Sequence, residues 1–160
     1  MKKRIVIFLA LAACIFSIGC GMFAGKGDAQ KVTESFLDER IQNGGFGQDS
    51  YYSDLFWKNT PTAKWENVKK LVTMAHGKPT GFKLLNWQVK SQAKLNDLSG
   101  TFVILVYETQ YEKGVVTETY TLFKGMKDKK FLILGLHFNS TEIQKMLDRG
   151  LEQAVTTDSI

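Results

Sequence analysis

The sequence predicts an α+β domain in which N-terminal helices pack on a curved four-stranded antiparallel sheet that is followed by a C-terminal helix. Three observations predict this fold class. Apolar residues recur at helical spacing before residue 77, four strand-like segments follow between residues 82 and 138, and helical spacing returns after Asn139. Helices that are separated along the chain from a run of strands are typical of the α+β class.

The first predicted helix covers residues 28–42, where Asp28 is suited to cap the free amides. Its apolar residues fall close to one face, namely Ala29, Val32, Phe36 and Ile41. The glycine-rich stretch 44–47 ends this helix. It lacks the Gly-Lys-Ser/Thr ending of a phosphate-binding loop, so we interpret it as a turn.

Two further helices are predicted before the sheet. Residues 50–58 form a short one, with Tyr51, Leu55 and either Phe56 or Trp57 turned inward. Residues 62–76 form a clearer one, with an inner stripe of Trp65, Val68, Val72 and Ala75. Gly77 and Pro79 end it, because glycine turns easily and proline cannot continue a helix.

Four strands are predicted, over residues 82–90, 101–111, 115–124 and 131–138. Leu85, Trp87 and Val89 fall on one face of the first strand. A short connection containing Gly114 predicts a hairpin between the second and third strands, and the charged stretch 124–130 predicts a solvated hairpin end.

The last predicted element is a helix capped by Asn139, with Glu142 three residues later. Its apolar stripe consists of Ile143, Leu147, Leu151 and Ala154. Residues 102–106 and 131–138 are apolar on both strand faces, so the second face of the sheet needs a cover. The closing helix, another subunit and a ligand are the alternatives.

The chain opens with the cationic residues Lys2, Lys3 and Arg4, followed by an apolar run from Ile5 to Ile18. This layout is typical of a secretory signal, and the run is shorter than the roughly 20 apolar residues that span a membrane. The run ends in Ser-Ile-Gly-Cys at 17–20, which resembles the lipobox of bacterial lipoproteins, although leucine is usual where Ser17 stands. An uncleaved anchor helix and an ordinary signal with a chance cysteine are the alternatives.

The lipobox resemblance implies a cleaved signal peptide over residues 1–19 and a lipid on Cys20 that anchors the chain in the bacterial cell envelope. Gly21 favours the outer membrane in a host with two membranes, with the domain in the periplasm. Residues 20–27 then form the lipidated cysteine and a flexible tether, and residues 28–156 form a single domain.

Charge and cysteine content narrow the function classes. Cleavage would remove three basic residues and no acidic residue, which lowers the net charge from +5 to +2. Charge therefore gives no reason to expect nucleic acid as a partner. The two cysteines are Cys14, in the signal, and Cys20, so the domain has no disulfide, no thiolate metal site and no cysteine nucleophile. We expect no cofactor.

The predicted elements follow one another along the chain in this order: a helix, the aromatic segment 51–57, a helix bearing Trp65, a glycine turn and a long antiparallel sheet. This order resembles the nuclear-transport-factor-2-like and cystatin-like superfamily, in particular its small exported bacterial members. The resemblance covers residues 28–138 and implies a sheet wrapped around helices as a cone that can hold a pocket. Some members are isomerases or dehydratases, and many bind only ligands or partners.

Enzymes of this superfamily use an acidic residue or a histidine deep in the cone as general base. His137 lies on the same alternating face as Phe131 and Ile133, so it is either such a base or a hydrogen-bonded strand residue. Glu108 and Glu118 lie in the two strands of the central hairpin. They either approach one another, point to solvent or pair with nearby lysines. His76 is interpreted as a partly exposed histidine at a helix end.

Three aromatic residues could rim a pocket or a partner surface, or belong to the core: Tyr51, Tyr52 and Trp57.

Three functions remain open at this point. The first is a non-enzymatic protein-binding module that uses a sheet face for another protein or a second copy of the chain. The second is a small-ligand or lipid-binding module, and the third is an acid/base enzyme of the isomerase or dehydratase type.

Overall fold

A computed structural model of the chain describes residues 25–95 and 98–147. The predicted fold class is confirmed: helices precede a curved four-stranded antiparallel sheet, and a helix follows it. The signal segment, Cys20, Leu151, Ala154 and the predicted domain end at residue 156 lie outside the described residues. Within the described ranges, none of the helices is both long and apolar enough to cross a bilayer.

The bounds of the elements follow the chain in order. The helical segments are α1 over residues 25–43, a 3₁₀ turn at Asp49–Tyr51, α2 at Asp54–Asn59, α3 at Thr62–His76 and α4 over residues 141–147. The strands are β1 at Pro79–Leu95, β2 at Leu98–Tyr111, β3 at Gly114–Gly125 and β4 at Leu132–Asn139.

The N-terminal helices differ from the prediction at their starts. Residues 25–27, predicted as tether, are already helical, so Asp28 lies inside α1 and is not its cap. The segment predicted as one helix over 50–58 is divided, because Ser53 caps α2 by accepting a hydrogen bond from the Phe56 amide at 3.2 Å. Helix α3 has the predicted bounds and ends at Gly77, whose φ is 77°.

The sheet has the order β1-β2-β3-β4, with every neighbouring pair antiparallel. The predicted hairpin between β2 and β3 is confirmed, with Glu112 and Lys113 as the connecting residues. Gly114 follows at a φ of 135°, which only glycine adopts readily.

The core lies between the helices and one face of the sheet, which we call the inner face. Its sheet residues occupy alternate positions, because successive side chains of a strand point to opposite faces. The buried apolar residues of this main core are Ala29, Phe36, Leu37, Tyr52, Phe56, Trp65, Val103, Leu105, Tyr107, Tyr120, Leu122, Phe131 and Ile133.

The pairing of β1 with β2 has three register shifts and the pairing of β3 with β4 has one, and two of these four bear on the predicted strand faces. In β1, Leu84 is opposite Tyr107 and Asn86 is opposite Val106, so Leu85 has no partner and is 48% exposed. The face predicted for Leu85, Trp87 and Val89 is therefore interrupted at Leu85, whereas Trp87 lies opposite Leu105 and Val89 opposite Val103. In β4, Leu134 is the extra residue, because Ile133 is opposite Leu122 and Gly135 is opposite Thr121. An extra residue exchanges the faces of all residues that follow it.

The described part of the closing helix, residues 141–147, does not cover the opposite, outer face of the sheet, which was one of the three alternatives for its cover. Ile143 of α4 packs with Val72, Tyr111 and Val116, which lie on the inner side. The cap of α4 is Ser140 and not Asn139, since Ser140 Oγ accepts a hydrogen bond from the Ile143 amide at 3.1 Å. Every described helix thus packs on the inner face.

Candidate functional site

A group of four polar side chains lies buried between α1 and the sheet. Nη1 of Arg40 donates to Oε2 of Glu118 at 2.8 Å and to the Tyr120 hydroxyl at 2.8 Å. Nη2 of Arg40 donates to the Tyr111 hydroxyl at 2.5 Å and to Oε1 of Glu118 at 3.3 Å. The two tyrosine hydroxyls in turn donate to Glu118, one to each carboxylate oxygen. We call these four residues the Arg40 cluster.

The sequence places these residues together through two simple periodicities. Arg40 continues the buried stripe of α1, which consists of Ala29, Thr33, Phe36, Leu37 and Arg40. Glu118 and Tyr120 occupy alternate, inward positions of β3 between Val116 and Leu122. A charge of each sign on an otherwise apolar face was the signal that could have predicted the pair, and sequence reasoning missed it.

The environment of the cluster keeps Arg40 charged and the tyrosines protonated. Burial alone would lower the pKa of Arg40, but Glu118 together with Tyr120 and Tyr111 outweighs this effect, and the pKa is raised well above its ordinary value. Burial, and then Glu118, raise the pKa of both Tyr111 and Tyr120. The hydroxyls therefore remain donors to the carboxylate.

Aromatic rings surround the guanidinium group. Its central carbon lies 4.6 Å from the ring centre of Phe46 and 5.6 Å from that of Phe36. Contacts of a cation with ring faces are favourable, more so where water is excluded. Both charged side chains are fully buried, so the cluster is part of the packed interior and presents no open face to a substrate.

Three buried polar atoms lack a hydrogen-bond partner within the described part of the chain: Nε of Arg40, the Tyr52 hydroxyl and Oγ1 of Thr109. Such atoms are costly unless a partner or an ordered water reaches them.

The structure does not bring Glu108 and Glu118 together. Tyr107 is opposite Glu118 and Glu108 is opposite Thr117, so the two carboxylates lie on opposite faces of the sheet. Glu118 is fully buried and paired with Arg40, which contradicts the interpretation that it points to solvent. Glu108 lies half-buried on the outer face.

His137 does not enter the cone. The bulge at Leu134 moves Leu136 and Phe138 to the inner face, and His137, opposite Thr119, is exposed on the outer face. The prediction that His137 shares a face with Ile133 is wrong for this reason.

The three predicted surface aromatics have different environments. Tyr52 is 5% exposed and stacks on Phe56 with ring centres 4.4 Å apart, so it belongs to the core and not to a binding surface. Tyr51 and Trp57 are half-buried and make edge-on contacts with Phe36 and Tyr52 respectively. Tyr51 and Trp57 retain exposed edges.

His76 is buried and not partly exposed, which corrects its interpretation. Its Nε2 is hydrogen-bonded to Oγ of Ser140 at 2.7 Å, which ties the end of α3 to the start of α4. Burial lowers the pKa of His76, with Glu142 and Glu118 opposing this effect and Lys113 adding to it. The neutral ring therefore suits its position.

Open cavities lie at the surface of the described part of the chain, and two of them are large. One, of about 410 Å³, is a groove between α3, β4 and α4 lined by Val68, Leu71, Leu136, His137, Ile143 and Leu147, among others. The other, of about 430 Å³, lies between α3 and the end of α1, where Gly45, Lys69, Lys70 and Met74 contribute to its lining. Both exceed the roughly 300 Å³ at which ligand sites begin.

Among the described residues, no three histidine, cysteine, aspartate or glutamate side chains come together as a metal site would require. In comparisons with known proteins, no family model, no curated protein and no solved structure matches this chain.

Proposed function

We propose that the chain is a lipid-anchored protein of the bacterial cell envelope whose domain recognises another protein, or a second copy of itself, through its surface. The proposal that the domain recognises a partner through its surface rests on the packed interior of the domain. The helical segments cover the inner face of the sheet with buried aromatic side chains, Phe36, Phe56 and Trp65 among them. Arg40 of α1 forms a fully buried ion pair with Glu118 of β3. A domain with a packed interior acts through its surface.

The outer face of the sheet is the surface that best fits this role. In the middle of this face, two apolar residues of β2 lie opposite two threonines of β3: Val106 opposite Thr119, and Ile104 opposite Thr121. All four residues are half-buried. A sheet face that mixes β-branched and threonine side chains suits packing against a second sheet. The nuclear-transport-factor-2-like resemblance is compatible with this role, since many members of that superfamily bind only ligands or partners.

The anchoring part of the proposal rests on the signal-like N-terminus and on Cys20. Growth with a radiolabelled fatty acid should label the parent chain, and Cys20→Ala should abolish the label. Cys14→Ala serves as the matched control and should leave labelling unchanged. Labelling that persists in Cys20→Ala would contradict the proposal that Cys20 carries the lipid anchor.

Recognition is tested by photocrosslinking in intact envelopes. A photoreactive amino acid at Thr119 or Thr121 should give a discrete adduct, whereas the same group at Thr73, exposed on α3, should not. Absence of both a heteromeric adduct and a crosslinked dimer from the outer-face positions would contradict recognition through this face.

A second function, binding of a small apolar ligand, is favoured by the groove of about 410 Å³. An apolar fluorescent dye should bind the purified chain, and Leu71→Glu in the groove should abolish that binding. Met74→Glu is the matched control on the same helix, since Met74 is 64% exposed and lines the other cavity. Equal dye binding by the two variants would exclude this groove as the ligand site.

A further inference from the structure

The loop between β3 and β4 concentrates positive charge at one end of the domain. Residues 124–130 contain four lysines and one aspartate, a net charge of +3, while the whole chain without its signal would carry only +2. Residues 126–130 are exposed, and Met126 at the tip exposes 85% of its surface. Asp128 is turned to the loop backbone, where its Oδ2 accepts a hydrogen bond from the Gly125 amide at 2.8 Å.

This loop lies at the same end of the domain as the start of α1. A Cβ atom on Gly25 would lie 3.9 Å from Cζ of Phe131, which directly follows the loop. It would also lie 3.7 Å from Cγ2 of Thr101, the residue opposite Lys124 in the sheet. Lys26, in the first turn of α1, adds a further cation here and lies 5.9 Å from the ring centre of Trp87.

The distance from this end of the domain to Cys20 is limited by the chain itself. Four residues lie between Cys20 and Gly25. The five Cα–Cα steps that join Cys20 to Gly25 span at most about 18 Å when fully extended. A lipid on Cys20 would therefore keep the basic loop within a short distance of the bilayer surface.

We propose that the loop Lys124–Lys130 docks on the anionic phospholipid headgroups of the membrane that holds the lipid anchor. The inference rests on the proposed lipidation of Cys20. Anionic lipids attract basic segments near the surface, and each lysine that reaches the headgroups contributes roughly a fivefold gain in partitioning. Met126, an exposed apolar residue between the lysines, enters the headgroup boundary. The β2–β3 turn then points away from the membrane.

The test compares two single-thiol probes on the mature lipoprotein, purified from cells that make the full-length chain. Met126→Cys places an environment-sensitive fluorophore on the loop, and Val115→Cys places it at the opposite turn, about 35 Å away along β3. Val115 is 59% exposed, so the two sites are comparably accessible to the dye. Each labelled protein is reconstituted into vesicles of phosphatidylcholine alone or with about one-third phosphatidylglycerol.

Iodide quenching in the aqueous phase is the readout. We expect quenching of the Met126→Cys probe to fall at least about threefold when phosphatidylglycerol is present, with recovery at high salt. The Val115→Cys probe should not change. Adding Lys127→Glu, Lys129→Glu and Lys130→Glu should remove the effect, whereas the same change at Lys64, Lys69 and Lys70 of α3 should keep it.

Failure of this inference and failure of the anchor are distinguishable. Mass spectrometry of the N-terminal peptide reports the lipid on Cys20 directly, and a chain without lipid would overturn both. With the lipid present, equal quenching of the Met126→Cys probe in the two kinds of vesicle would overturn the docking alone. An equal loss of protection from the α3 charge reversal would also overturn it, because the effect would then follow net charge and not the loop.

Discussion

Removal of the negative charge from the Arg40 cluster should strongly destabilise the fold. Glu118→Gln keeps the shape of the side chain but leaves the Arg40 guanidinium fully buried without a counter-charge. Breaking a buried ion pair on one side typically costs about 3–5 kcal/mol of the free energy of unfolding. For a domain of this size that corresponds to a fall in melting temperature of roughly 10–20 °C.

Urea unfolding followed by tryptophan fluorescence measures this loss, because Trp65 is only 3% exposed and reports on the core. Glu108→Gln is the matched control, the same change on the neighbouring strand but on the outer face, and should cost less than about 1 kcal/mol. A cost for Glu118→Gln that is no greater than the control would refute the reasoning.

A second variant separates charge burial from packing. Replacing Arg40 by Met and Glu118 by Leu, with Tyr111→Phe and Tyr120→Phe, removes both charges and both hydroxyls that donate to Glu118. Replacing a whole buried polar group by apolar residues of similar volume is often neutral or stabilising. The fourfold variant should therefore be more stable than Glu118→Gln alone, although it carries more substitutions.

Three further predictions concern single residues. Burial lowers the pKa of His76, so the unfolded chain binds a proton at this histidine more readily than the folded chain, and stability should fall as the pH drops below about 6.5. Urea unfolding midpoints should fall less with pH in His76→Gln than in the parent chain. Equal falls in the two proteins would contradict this prediction. Gly100→Ala places a Cβ atom 2.3 Å from the Lys124 carbonyl oxygen and should lower the free energy of unfolding in urea by about 1–3 kcal/mol. Gly27→Ala is the control, because a Cβ atom there meets nothing within 4 Å and should not lower the free energy of unfolding. Ser53→Ala removes the cap of α2 and should cost about 1 kcal/mol by the same measurement, unless the Phe56 amide finds another acceptor.

Local signals in the sequence were sufficient for most of the elements. Helix α3 was predicted residue for residue, because its apolar stripe is regular and Gly77 ends it. The β2–β3 hairpin was equally clear, since a strongly β-forming pair of segments flanks a connection with Gly114. Both features depend on residues that are neighbours in the sequence.

The errors arose where the structure depends on distant residues. Nothing local in residues 131–138 indicates that Leu134 is extra, because a bulge is defined only against the partner strand. A single unrecognised bulge was enough to exchange the faces of His137 and Phe138. Arg40 and Glu118 were missed as a pair because they lie 78 positions apart, so the opposite charge that each of them needs lies outside its own segment.

That separation has a consequence for the order in which the chain folds. A ribosome completes α1 well before it reaches Glu118, so Arg40 has no counter-charge during that interval. Burying Arg40 alone would be unfavourable, which discourages premature collapse of α1 onto the first strands. We therefore expect that a chain truncated before residue 118 leaves the inner stripe of α1 exposed to chaperones and proteases.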